Sequence, residues 1–244
     1  MHYSYRRCGI YFSHLLFFLL VCSSFASHAN SFVDRAAWAR LHSAGDASGF
    51  FKSMELYRFS DSSTEGDIAI ASAAFKNDQL EFSCNYPART YLLLRKNEKQ
   101  FQEMTAHCEQ LNEFLGRVPL DNVSIVFASE QSSQPASAMG HLFLRLTGTN
   151  LAGEKADFGL SFATSLNTYN VVNLAYETLL VGRKGSLQLN KYQNLITNYV
   201  DVESRNLWQA DIKLTNEQKR LLQLHVWELK QAAPYYHFVR YNCA

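Results

Sequence analysis

The chain lacks a charge excess of either sign: 23 Lys and Arg stand against 22 Asp and Glu, a net charge of +1. That balance argues against nucleic acid or a strongly anionic surface as the main partner. A second long apolar run is also missing. After the first 29 residues nothing approaches the roughly 18 to 20 apolar residues a spanning helix needs. Cysteines are few, five in all, and their positions matter more than their number.

The opening residues read as an export leader. Arg6 and Arg7 are basic, Ile10 to Val21 is almost unbroken in its apolar character, and Ser27-His28-Ala29 is a small-x-small cleavage site. A secretory signal peptide over 1–29, cut near Ala29, places the remainder in the periplasm. A lipoprotein reading through Leu19-Leu20-Val21-Cys22 fits poorly, because the bulky Val21 precedes the cysteine. Loss of Arg6 and Arg7 leaves residues 30–244 with 21 basic against 22 acidic side chains. Apolar and aromatic residues are plentiful enough for a packed core.

The leader carries Cys8 and Cys22, so Cys84, Cys108 and Cys243 remain. In an oxidising compartment two should pair and one is left over. Cys84 and Cys108 flank two expected helices lying side by side, and closing that loop contributes about 3 kcal/mol in the chain-entropy model. Cys243 is then a free thiol. Outside the cell such a group needs a reason to persist, either catalysis or burial as an inert side chain.

An α+β fold is expected, with a helical N-terminal part over 30–118 followed by an antiparallel sheet with helices over 119–244. The spacing predicts helices over 32–41, 67–75, 87–95 and 98–115, with Pro87 at a first helical position. Phe50, Phe51 and Phe59 are read as apolar anchors in a loop, and His107 as a surface or packing residue. From Asp121 alternation takes over. Strands are expected over 123–128, from His141 onward, over 156–164 and over 207–214, with a short strand or turn at 185–189. Residues 170–181 read as helical, and 191–200 fit neither pattern. Thr215 and Gln218 form a capping box opening a helix that carries Leu221, Leu222, His225, Val226 and Leu229 and ends near Pro234. His225 reads as a satisfied core histidine. An aromatic extended segment over 235–241 then delivers Asn242 and Cys243.

The second reactive group is His141. Leu142, Leu144 and Leu146 fall on one face of its strand, and His141, Phe143 and Arg145 on the other. Gly140 lets the chain turn sharply or lets another group approach the ring. One reading makes His141 a strand-end histidine bound to a nearby carbonyl. The other pairs it with Cys243, 102 residues away, as a thiolate–imidazolium couple. Papain-like enzymes build such a site with the cysteine at a helix N-terminus and the histidine on the sheet. The order here, histidine before cysteine, resembles the permuted, NlpC/P60-like members. Ser161 is preferred over Asp157 as the group orienting the imidazole. A zinc site from His141, His225, His237 and Cys243 is disfavoured, since no two lie at a ligand spacing.

The chain also resembles the N-terminal periplasmic domain of the bacterial lipoprotein N-acyltransferase Lnb. The matching pieces are Trp38 with Leu41, 84–89 (Cys-Asn-Tyr-Pro-Ala-Arg), Pro135-Ala136-Ser137 leading into 140–146, Leu160-Ser161-Phe162-Ala163, 203–208, Trp227-Glu228-Leu229 and Asn242-Cys243. The resemblance implies acyl transfer without a cofactor or metal. Cys243 would take a fatty acyl group from a phospholipid at the inner membrane surface and pass it to the amino group of a lipoprotein's lipidated N-terminal cysteine. It also implies a truncated chain, since family members continue past Asn-Cys into a helix whose N-terminus would favour the thiolate and an oxyanion. Three functions stay open: the acyltransferase, a cysteine hydrolase of the peptidoglycan-peptidase or lipase kind, and a non-catalytic envelope binding domain or inactive remnant.

Overall fold

The structure is a computed structural model that describes residues 33–42, 64–131, 140–164, 176, 183–230 and 235–236. The leader, the loop anchors at 50, 51 and 59, the helix expected over 170–181, and the segment carrying His237, Asn242 and Cys243 lie outside the described residues. Within them the fold is α+β, as expected. The helices are α1 (Arg35–His42), α2 (Thr64–Asn77), α3 (Gln79–Asn85), α4 (Pro87–Leu93), α5 (Glu98–Thr105), α6 (Glu109–Arg117), α7 (Tyr192–Ile196) and α8 (Asn216–Lys230). Strands β1 (Asn122–Ala128), β2 (His141–Thr149), β3 (Lys155–Thr164), β4 (Arg183–Lys191) and β5 (Leu207–Ile212) form an antiparallel sheet in the order β5-β1-β2-β3-β4. A two-residue strand, β6 (Tyr235–Tyr236), pairs with the start of β4. These connections do not establish a permuted papain-like arrangement.

Two helical details depart from the sequence pattern for local reasons. The helix expected over 98–115 is broken, because Cys108 leaves helical geometry (φ −86°, ψ 73°) to cap α6 while bonded to Cys84. The Asn112 side-chain amide donates to the Thr105 carbonyl at 2.9 Å and the Ala106 carbonyl at 3.3 Å, covering acceptors freed by the break. Helix α3 was not expected. Its signal is Asp78, whose carboxylate accepts the Glu81 amide at 2.9 Å. The capping box at Thr215 forms reciprocally, with Thr215 N–H donating to Gln218 Oε1 at 2.7 Å and Gln218 N–H to Thr215 Oγ1 at 3.2 Å.

The core has two main parts joined by α8. Trp38, Phe82, Leu92 and Phe101 pack the N-terminal helices together with Leu224 of α8. Leu111 and Phe114 of α6 pack with Val226 and Trp227 of α8 against Val123, Leu146 and Leu160 on one face of the sheet. At the junction Arg89 and Glu228 are both fully buried. Arg89 Nη1 donates to Glu228 Oε2 at 2.5 Å, and the Arg89 amide donates to Oε1 at 3.0 Å. Trp227 Nε1 donates to the Cys84 carbonyl at 2.8 Å. Two stretches far apart in sequence, 84–89 and 225–228, are thus one structural junction.

Candidate functional site

The opposite sheet face carries the site. Register sets Ala128 of β1 beside His141, Val126 beside Phe143, and Ser124 beside Arg145. Opposed residues of an antiparallel pair share a face, so Gly159 lies with Arg145, and Ser161, alternating with Leu160, lies on His141's side as well. Over this face lie α7 and the π-helical turn Thr197–Val202 that continues it. Tyr192, Leu195, Ile196 and Tyr199 point at the sheet with helical spacing and pack on Val126 and Phe143. The stretch the sequence left ambiguous is therefore the cover of the site. Gly159 makes room for it, since a Cβ there would collide with Leu195 Cδ1.

Gly140 turns the chain into β2 with φ +76°, a left-handed conformation, and a Cβ on it would stand 2.6 Å from the Phe127 ring. Both uses expected of this glycine, the turn and the close approach, are present. His141 then enters an aromatic enclosure. Its ring centroid lies 5.9 Å from that of Phe143 and 5.7 Å from that of Tyr199, while Phe143 and Tyr199 stack at 5.8 Å. Burial, with the nearby positive charge of Arg205, pushes the imidazole pKa down to about 4. The ring is neutral at pH 7 and can accept a proton.

Arg205 and Tyr199 had no assigned role in the sequence reading. Arg205 is 4% exposed, its guanidinium carbon lies 5.3 Å from the Tyr199 ring centroid, and its Nε is 2.8 Å from Glu203 Oε2. Its amide donates to the Tyr199 carbonyl at 2.8 Å, closing the π turn. Ser204 between Glu203 and Arg205 has φ +53°, a conformation non-glycine residues seldom adopt. In the sequence, Arg205 entered only as part of the matching piece 203–208, with no role given to it.

Ser161 is buried, 5% exposed, and faces the same side as His141; among the described residues no hydrogen bond joins the two. Asp157 is engaged elsewhere, receiving Arg145 Nε at 2.9 Å and Nη2 at 2.6 Å. Cys243 lies outside the described residues. The sheet separates His141 from His225, which sits on α8 with Nδ1 3.2 Å from Glu228 Oε2. No group of three or more metal-ligating side chains occurs among the described residues. His107 is exposed.

Fold and site together define an α+β domain with a partly buried, neutral imidazole at one end of its sheet. A family model, the Lnb N-terminal periplasmic domain, matches residues 110–244, more than half of the chain. The chain belongs to that family, which points to a periplasmic location. The match covers His141, Ser161, Arg205 and Cys243, whereas α1–α5 and the Cys84–Cys108 disulfide precede it. Searches of the curated proteins and of the solved structures return no match.

Proposed function

We propose that this Lnb-like envelope protein is a thiol–imidazole acyltransferase in which Cys243 is the nucleophile and His141 its base. The observation carrying the reading is the partly buried, neutral imidazole of His141, in a chain whose Cys84 and Cys108 are bonded to each other. His141 accepts the thiol proton, and the thiolate adds to an acyl ester carbonyl of a phospholipid. The tetrahedral intermediate collapses with loss of the lysophospholipid alkoxide, which takes the proton back from the imidazolium. A lipoprotein's terminal amine then adds to the thioester. It loses a proton to His141, and the expelled Cys243 thiolate takes that proton back, leaving an amide, the free thiol and a neutral imidazole. Ser161 is the group proposed to orient the imidazole. No cofactor is required by these steps.

The test is intact-mass analysis of the chain incubated with phospholipid vesicles and no amine. A mass gain equal to one fatty acyl group, removed by hydroxylamine and absent in Cys243→Ala and His141→Ala, is expected. Steady release of free fatty acid without an amine acceptor would assign a hydrolase instead. No adduct and no release would leave a binding domain.

A further inference from the structure

We propose that Arg205 is a positioning residue for His141: seated on the Tyr199 ring and tied to Glu203, it fixes that ring beside the imidazole and so holds the imidazole in one orientation. Three independent features converge on this side chain. It is almost fully buried, at 4% exposed, where an arginine costs desolvation unless it has a use. A left-handed Ser204 and the π turn, both uncommon backbone states, deliver it. It also sits on the ring that neighbours His141: the guanidinium lies 5.3 Å from the Tyr199 centroid, and the tilted imidazole 5.7 Å from it.

The other charges facing the site do not supply the same field. On His141's own strand Arg145 is neutralised by Asp157 of β3 and seated on Tyr192 of α7, 4.0 Å from its ring centroid. From β1 the residue opposite is Ala128, and β3 offers Ser161, which is uncharged. The turn after the π segment carries Glu203, already on Arg205. Arg205 is therefore the cation that opposes protonation of His141 among the described residues, in line with the direction of its pKa.

This role deepens the proposed acyl transfer and takes its catalytic meaning from that reading: one fixed ring orientation keeps the imidazole aimed at the thiol, and a fixed cation favours the thiolate. Its test needs no substrate. The His141 ring resonance, identified by its loss in His141→Phe, is followed by NMR from pH 7 to 4.5 on the full chain. In the wild type it should stay near its neutral position through most of the range. In Arg205→Gln the apparent pKa should rise by about one pH unit or more, so that the ring titrates inside the window. Glu203→Gln, which removes the counter-charge and keeps the guanidinium, should not raise it. An Arg205→Gln ring that moves no more than the wild type overturns the proposal, and so does titration induced by Glu203→Gln. If Arg205→Gln does not fold, Glu203→Gln decides. An acyl adduct on Cys243 that fails to form while these titrations behave as stated would sink the acyltransferase and leave the positioning role standing.

Discussion

His225 lies 3.2 Å from the Glu228 carboxylate among the helices on one side of the sheet, whereas His141 on the other side meets two aromatic rings, one of which carries the Arg205 guanidinium. His225 is buried and His141 partly so, and both are the same chemical group. Beside a carboxylate that also holds a buried arginine, the imidazole is one member of a structural network whose loss would strand charge. Beside a cation and apolar rings it is kept neutral, and among the described residues no carboxylate is hydrogen-bonded to it. Neighbours, not the residue type, separate a fastening from a candidate base.

The largest effect should come from breaking the first region. Glu228→Ala strands Arg89 without its partner in the interior, and truncating one member of such a pair costs about 3–5 kcal/mol. Urea unfolding should show the unfolding free energy falling by that amount, with a matching drop in midpoint. Replacing Arg89 and Glu228 together by Met and Leu should recover much of it, since the penalty is that of an uncompensated charge. A loss below about 1 kcal/mol in the single variant would show that the pair does not hold the helical part to α8.

The second region makes stability depend on pH. His141 has a folded pKa of about 4 against an unfolded value of about 6.5. Between those values the unfolded chain binds the proton and the folded one does not. The contribution is therefore fully present above about pH 6.5 and is lost as pH falls toward 4, in all about 3 kcal/mol. His141→Phe should abolish that part of the decline, read as the difference between two denaturation series across pH 7 to 4. Glu228 behaves differently: burial alone would raise its pKa, but Arg89 and His225 hold it below the usual carboxylate range, so its share is lost only in more acid solution. Parallel curves for wild type and His141→Phe would remove the contrast between the two histidines.

How far these regions can be seen in the sequence follows from the range of the forces that build them. Alternation from Val123 and from His141 made β1 and β2 legible, and Thr215 with Gln218 marked the start of α8, because those signals are local. The break at 106–108 was not legible from the amphipathic spacing of 98–115. It depends on Cys84 arriving from another helix. Tyr199 and Arg205 were missed for a related reason: their convergence on His141 requires a π turn and a left-handed serine, which no periodicity announces. His225 could be read as a core histidine from its place on the apolar face. Arg89, which shares the Glu228 carboxylate with it from 136 residues earlier, could not.

The smallest effects sharpen the site itself, by separating the two polar residues that could orient His141. Asp157 is a half-exposed partner of Arg145, 40% exposed at the side chain, so Asp157→Asn should cost under about 1 kcal/mol. It should also leave the rate of thioester formation unchanged, because the carboxylate is already spanned by the guanidinium fork. Ser161→Ala removes one hydroxyl from a buried position and should change stability by about 1 kcal/mol or less. If its hydroxyl turns to the imidazole in the reacting complex, thioester formation should slow by about tenfold or more, since a base free to rotate spends less time aligned with the thiol. Single-turnover mass spectrometry on both variants reads the difference. Slowing in Asp157→Asn with none in Ser161→Ala would move the orienting role along β3 to the carboxylate. It would also require Arg145 to release Asp157 before the imidazole could be held.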